Sequence, residues 1–408
     1  MLRISQRLFG TLVLVFLCTA VSETQAADCT HGDFVAAAAQ VTAARKTLLA
    51  LPIGDGQETD VSPAGQQAIA AMKQRLDEFV GTYLRCQPQS LGAKKAAAEL
   101  AKLVPPAPAA FGVFVNGKRV PNDASHGYQL DFDIRRPLSQ PKLATVTAKF
   151  QIECGEDTVL LIFAYGNGGW NEVLRAQGKP YQSIGDAWAS FDYAVSPSDE
   201  SGHWYVLTKT VAPWCSSTWS EIRYAVLRPA PASVDPRVLL SRSDSIWWGS
   251  DDFGTLTANR NDFDVRFHAE SIDTGVHNRV WVRHFRIDDN SIRRIPPVAL
   301  SPRDFVDEWI ISPWDEAIGW TAGSATLELA KMHAKLSQHK FHDSFNYDSA
   351  TRCSGAYPRY QIAVDSDETN ENFYFLVSGD SDYRMDTISM TPNPSCRGPD
   401  ILAKMATQ

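Results

Sequence analysis

Apolar residues recur at helical spacing in the first hundred residues of the chain. Ser62 and Pro63 form a helix start, because a capping side chain is followed by proline in the first turn. The same spacing predicts helices over 33–51 and from Ser90 to about residue 103, so we interpret 27–104 as an α-helical domain. The stripe that follows Pro63 at steps of three and four residues consists of Ile69, Met72, Leu76, Phe79, Val80 and Tyr83.

Short strand-like runs replace the helical pattern after a proline-rich stretch at 105–110, which we interpret as a linker. Turn residues separate these runs, and the glycine cluster at 166–169 is typical of a hairpin. No long helical pattern interrupts 111–298, so we predict an all-β antiparallel domain. A weak echo between 222–227 and 282–287 suits a propeller-like arrangement, and a sandwich or an open barrel is favoured almost as strongly.

The last zone, 299–408, begins with capped helix starts and ends with strands. Ser301-Pro302 and Ser312-Pro313 each predict the start of a helix, and a third helix is expected over 325–337. The order of elements predicts an α+β domain with three helices and an antiparallel sheet, and the whole chain is expected to be an α+β multidomain protein. The strand-like runs of this zone lie at 341–347, 360–364, 373–377 and 383–390.

The first 26 residues have the pattern of a removable signal peptide. Arg3 and Arg7 precede a short apolar run over 8–21, and Ala26 ends a small-residue cleavage site. The run is short for a membrane span, so a retained anchor is the less favoured alternative. We therefore expect a periplasmic or secreted protein with no membrane span after signal removal.

Cysteine number supports the same location. Cys18 lies in the leader, which leaves six of the seven cysteines, and an even set suggests three disulfides formed in an oxidising compartment. Cys29 and Cys86 fall at the same end of the first predicted helix pair, which therefore becomes a disulfide-linked helical hairpin. Six cysteines permit fifteen connectivities, so the remaining pairings are only suggested by position. The three suggested pairs are Cys29 with Cys86, Cys154 with Cys215, and Cys353 with Cys396.

Composition narrows the choice of partner. The formal net charge of −8, without long charge runs, argues against nucleic acid as a partner. A hydrophobic content of 44% is that of a folded globular chain. The sequence indicates no cofactor, and the expected partner is an unknown protein or a polysaccharide.

The hairpin over 262–288 carries the sharpest candidate chemistry. Its polar residues alternate with apolar ones, and a turn near Asp273 would place the polar sets of both strands on one face. His268, Glu270 and His284 would then be candidate metal ligands. The alternative is a solvated sheet face with cross-strand charge pairs.

Aromatic and loop residues supply the candidate ligand contacts. All eleven tryptophans lie between residues 170 and 320, and core filling is their commonest role. Trp247 and Trp248 are adjacent, so they point to opposite sides of a strand and cannot both enter one core. Asp273 and His277, at the predicted hairpin tip, are further candidates, although turns are often built from such residues.

No catalytic motif rises above these patterns: the sequence lacks a G-x-S-x-G elbow, a P-loop, a dinucleotide fingerprint and C-x-x-C. The leading hypothesis is a non-catalytic binding or interaction protein, which predicts an exposed aromatic patch. The first alternative is a hydrolase-type envelope enzyme with its pocket in the C-terminal domain or at the hairpin face, which predicts convergent titratable groups. The second alternative is an envelope inhibitor or immunity-type protein.

Overall fold

A computed structural model describes residues 31–51, 60–107, 113–115, 118–120, 126–213, 219–247, 253–276, 278–289, 291–339, 344–367 and 370–401. The fold is mixed α+β. Its described helices are α1 (His31–Leu49), α2 (Pro63–Arg85), α3 (Ala93–Leu103), α4 (Pro302–Ile311), α5 (Trp314–Ala317) and α6 (Thr326–Leu336).

The strands form a small hairpin and four antiparallel sheets, each of four strands joined in chain order. The hairpin consists of β1 (Val113–Val115) and β2 (Lys118–Val120). Sheet A contains β3 (Leu130–Arg135), β4 (Leu143–Ile152), β5 (Gly155–Gly166) and β6 (Gly169–Gln177). Sheet B contains β7 (Ala189–Val195), β8 (Val206–Val211), β9 (Trp219–Ala230) and β10 (Ser233–Trp247). Sheet C contains β11 (Thr255–Ala258), β12 (Asp262–Glu270), β13 (Asn278–Asp288) and β14 (Ser291–Arg294). Sheet D contains β15 (Phe345–Arg352), β16 (Arg359–Ser366), β17 (Glu371–Ser378) and β18 (Arg384–Ser389).

The N-terminal helices pack on sheet A and share one core with it. Ser62 caps α2 as predicted, because its Oγ accepts the Gly65 amide at 3.1 Å, and the whole predicted stripe of α2 is buried. The third helix begins after Gly92, so Ser90, the predicted cap, lies outside it. The predicted boundary at 105–110 therefore separates segments with a common core, and their independence stays a prediction.

Sheets A, B and C stack face to face in chain order. On β5, Val159 and Leu161 face the helices, whereas Leu160 and Ile162 face sheet B. Sheet B in turn packs its other side on sheet C, where Phe263 lies in the shared core. The described sheets do not show a propeller, because sheet A covers its outer face with helices instead of another blade.

The C-terminal core lies between α4, α6 and sheet D, with Trp309 and Trp320 fully buried. Ser301 caps α4 as predicted, accepting the Asp304 amide at 3.0 Å. Ser312 behaves differently from the prediction: Pro313 occupies the N-cap position of α5, and the Ser312 hydroxyl donates to Glu308 on the preceding helix.

One disulfide has both of its cysteines in the described residues, and it joins Cys353 to Cys396 as suggested from position. Cys86 and Cys154 are also disulfide-bonded. Their suggested partners, Cys29 and Cys215, lie outside the described residues, so those two pairings stay predictions. The predicted signal peptide over 1–26 lies outside the described residues as well.

None of the helices in the part of the chain that the structure describes is both long and apolar enough to cross a membrane.

A crowded pair of carboxylates joins α2 to β6. Arg175 contacts Asp77 at 2.5 Å and both oxygens of Glu172 at 3.0 and 3.2 Å. The pKa of Asp77 is raised to about 6: burial is the largest cause, the negative charge of Glu172 raises the pKa more than Arg175 lowers it, and Glu78 adds a smaller increase. The Asp235 carboxylate also acts on Arg175. One arginine thus serves two carboxylates at neutral pH.

This joint predicts that the Asp77 site contributes more stability as the pH falls from 7 to 5. The folded Asp77 binds its proton near pH 6, well above the ordinary carboxyl value, so the folded state takes up a proton that the unfolded chain does not. Stability is lost as pH rises through 6. Asp77→Asn should raise the urea midpoint at pH 7 and make the free energy of unfolding depend less steeply on pH between 5 and 7. Asp133→Asn, at an exposed carboxylate of β3, should do neither. An unchanged slope in Asp77→Asn would contradict the assignment.

Candidate functional site

A cleft of about 330 Å³ opens where sheet B, sheet C and the α4–α5 segment meet. Its walls combine charged side chains with an apolar surface, and the two residues from sheet B are both charged. The lining residues are Arg242, Asp244, Glu270, Ile272, Trp281, Arg283, Arg294, Glu308, Ile311, Ser312, Pro313 and Glu316.

Glu308 forms the floor of the cleft and is completely buried. Its carboxylate contacts Arg279, Arg283 and Arg294, each at 2.7 Å, and accepts the Ser312 hydroxyl at 3.0 Å. Burial alone would raise the pKa of Glu308, but the three guanidinium groups outweigh it and hold this pKa well below the usual range. Glu308 therefore carries a fixed negative charge, matched by its arginines.

The wall on sheet B repeats this pairing. Arg283 donates to both oxygens of Asp244 on β10, at 3.1 and 3.2 Å, and Tyr224 donates to the same carboxylate at 3.1 Å. The Arg283 guanidinium also lies 4.2 Å from the centre of the Trp281 ring, a cation–π contact. One arginine of sheet C thereby ties sheet B to α4.

The rim is the more accessible part of the cleft. Arg242 on β10 contacts Glu316 on α5 at 2.8 Å, and their side chains are 42% and 15% exposed. Glu316 also lies 3.4 Å from Arg294, whose side chain is only 3% exposed. The rim thus offers both a guanidinium and carboxylates to an entering molecule.

A second row of ionic groups lies behind the floor. Asp307, fully buried, accepts the Ser271 hydroxyl at 2.6 Å and contacts Arg279 at 3.2 Å. Burial raises the pKa of Asp307 despite the nearby arginines. This row continues to Arg303, which pairs with Asp273.

Asp273, a predicted ligand contact, is therefore not an exposed tip residue. It is 4% exposed, and its second oxygen accepts the Gly275 amide at 2.9 Å. The segment after β12 runs back against sheet D, where Asp273 forms a bridge with Phe345. This packing, invisible in the local pattern, turns the carboxylate inward.

The predicted metal ligands share one face of sheet C, but the register separates them. His284 lies opposite Asp264 on β12. His268 lies four residues beyond Asp264 on the same strand, so at about 3.3 Å per residue the backbones of His268 and Asp264 are roughly 13 Å apart. Glu270, opposite Asn278, is farther still. Among the described residues, no three His, Cys, Asp or Glu side chains are grouped to hold a metal ion.

His284 has structural partners instead: its Nδ1 lies 2.8 Å from the Pro296 carbonyl, and its Nε2 lies 3.7 Å from Asp262. The predicted contacts at Trp247, Trp248 and His277 stay predictions as well. Trp248 and His277 lie outside the described residues, and only the backbone of Trp247, paired with Trp219, is described.

The sequence pattern contained an overlooked signal for the cleft. Arg279 and Arg283 have the same parity along β13 as Trp281 and Phe285, so they point to the buried side of the hairpin. Buried arginines require carboxylate partners. Asp307 and Glu308, set among apolar residues in the middle of α4, were the available match.

The polar groups of the cleft are paired with one another. Glu308 stays ionised and is saturated by arginines, so it cannot exchange protons near neutral pH. The Ser312 hydroxyl donates to this carboxylate, and His333 contacts the Ser312 carbonyl rather than its hydroxyl. Within the described residues, the acceptor of the Ser312 hydroxyl is therefore Glu308, whose lowered pKa makes it a weak base.

The chain matches no protein-family model, and no curated protein matches its sequence.

Proposed function

We propose that this chain is an exported, non-catalytic binding protein whose recognition site is the cleft between sheets B and C and α4. The observation that carries the proposal is the set of fixed, paired charges that line an open cleft. Preformed cavities with a few well-placed polar groups are the usual form of ligand sites.

The energetics of the cleft support a binding role. The arginines and Glu308 are held in place by several contacts each, so their donors and acceptors are preorganised. Preorganised groups lose little conformational entropy when a ligand arrives, which favours affinity. The accessible rim formed by Arg242 and Glu316 then supplies the contacts that a ligand would form first.

The same proposal includes export from the cytoplasm, the N-terminal disulfide and a sandwich-like β region. The Cys353–Cys396 bond supports an oxidising compartment, and we place the protein in the periplasm or outside the cell. The N-terminal helices would be linked by Cys29 and Cys86, and the stacked sheets A–C would form the sandwich-like β region that carries the cleft.

A screen of small polar molecules by saturation-transfer NMR tests the binding function. We expect at least one molecule to bind the wild-type protein, and Arg242→Ala to weaken that binding at least tenfold by removing a rim donor. Arg237→Ala, on the same strand but outside the cleft, is the matched control and should leave binding unchanged. Binding that is equally strong in the Arg242 and Arg237 variants would place the site elsewhere.

A further inference from the structure

We infer that the ligand of this cleft is a neutral polyhydroxylated molecule, of which a sugar ring is the natural example; this inference rests on the proposed binding function. The accessible rim presents donors and acceptors side by side, and the cleft is nearly balanced in charge. A hydroxyl group both donates and accepts, so it matches this rim better than a charged group does.

The rim retains hydrogen-bonding capacity. A guanidinium has five N–H donors, and the Arg242 side chain, 42% exposed, donates a hydrogen bond to Glu316 at 2.8 Å. A carboxylate accepts about four bonds. Asp244 accepts three from Arg283 and Tyr224, and Glu316 accepts from two arginines. Adjacent hydroxyls could therefore bind Arg242 and Glu316 together without breaking their ion pair.

Charge balance argues against an ionic ligand. Three arginines and four carboxylates line the cleft, and those at the floor already neutralise one another. An anion beside Arg242 would also meet Glu316 and Asp244, whereas a cation beside Glu316 would meet Arg242 and Arg294. Each would pay for desolvation and gain only part of an ion pair. A neutral ligand avoids this conflict.

The apolar part of the lining suits the C–H face of a ring. Ile272, Ile311 and Pro313 supply that surface beside the charged groups of the lining. The volume of about 330 Å³ is at the small end for ligand sites, and it suits roughly one or two rings rather than a long polymer segment buried along its length.

Titration calorimetry with defined probes tests the inference. The probes are glucose, N-acetylglucosamine and myo-inositol, with glucuronate and glucosamine as charged counterparts and an acetylated dipeptide amide as a neutral non-sugar. We expect at least one neutral polyol to bind at least tenfold more tightly than the charged probes. Arg242→Ala and Glu316→Gln should each weaken it at least tenfold, and Arg237→Ala should have no effect.

The outcomes separate the ligand class from the binding function. If a charged probe or the dipeptide amide binds in a manner sensitive to Arg242 and Glu316 while the polyols do not, the cleft is a binding site but the polyol inference is overturned. If the polyols fail while the wider screen gives ligands that depend on Arg242, the inference again fails and the function stands. If neither set yields binding that depends on Arg242, both proposals fall.

Discussion

Replacing Glu308 by alanine is expected to give the largest loss of stability in this protein. The substitution leaves the guanidinium groups of Arg279, Arg283 and Arg294 buried without their common partner. Removing one partner of a buried ion pair typically costs about 3–5 kcal/mol, because the remaining charge stays desolvated. The free energy of unfolding should fall by at least that order, measured from urea denaturation of the purified protein.

Two variants sharpen this result. Glu308→Gln keeps the shape and loses the charge, so it should also be strongly destabilising, whereas Glu328→Ala, at an exposed position of α6, should change stability little. The depressed pKa of Glu308 means that its stabilising charge is present above the ordinary carboxyl value and is lost only as pH falls through the lower folded value. A loss of under about 1 kcal/mol in Glu308→Ala would show that the cluster does not hold sheet C to α4.

Replacing Lys73 by methionine should be the second most damaging change. Lys73 on α2 reaches Asp157 in sheet A at 2.7 Å, and the two side chains are 6% and 0% exposed. Asp157 also accepts the Tyr181 hydroxyl at 3.1 Å and the backbone amides of Thr158 and Trp188. Without Lys73 a buried carboxylate remains without its counter-charge, at a cost of about 3–5 kcal/mol.

The double variant distinguishes an uncompensated charge from lost packing. Adding Asp157→Asn to Lys73→Met removes the remaining charge and should recover part of the lost stability, as judged by the urea midpoint. Lys149→Met is the matched control, because the Lys149–Glu156 pair on the same sheet is about one-third exposed on each side and should contribute at most about 1 kcal/mol. A double variant that is less stable than Lys73→Met would indicate that lost packing, not the unpaired charge, causes the loss of stability.

The helices and strands were largely predictable because local patterns carry them. The stripe from Ile69 to Tyr83, the Ser301 cap and the 166–169 turn each depend on residues close in sequence. Even the burial of both faces of sheet A can be seen in the unbroken apolar run of β5.

The candidate site was not predictable in the same way. Sequence alternation correctly indicated that the polar residues of β12 and β13 share a face, but it could not give the register that separates His268 from His284. The cleft joins β10 to β13, β14 and α4, and tens of residues separate β10 from the other three segments. No local rule states which distant carboxylate neutralises a buried arginine such as Arg283, although a buried arginine indicates that such a partner exists.

The exposed aromatic patch that the leading hypothesis required is not what supports the binding proposal. Trp170, Trp309 and Trp320 are fully buried, and Trp281 lies under the Arg283 guanidinium. The support comes from the ionic cleft, a feature first associated with the enzyme alternative. Glu308 departs from the catalytic pattern because its pKa is driven down and its charge is fixed, rather than poised near neutrality.

A crystal structure of the protein with its tightest-binding small molecule tests the central claim most directly. We expect the molecule to lie in the cleft, in hydrogen-bond contact with Arg242 and Glu316, while the Glu308 cluster keeps its pairing. A bound molecule on another surface, with the cleft closed to it, would contradict the account.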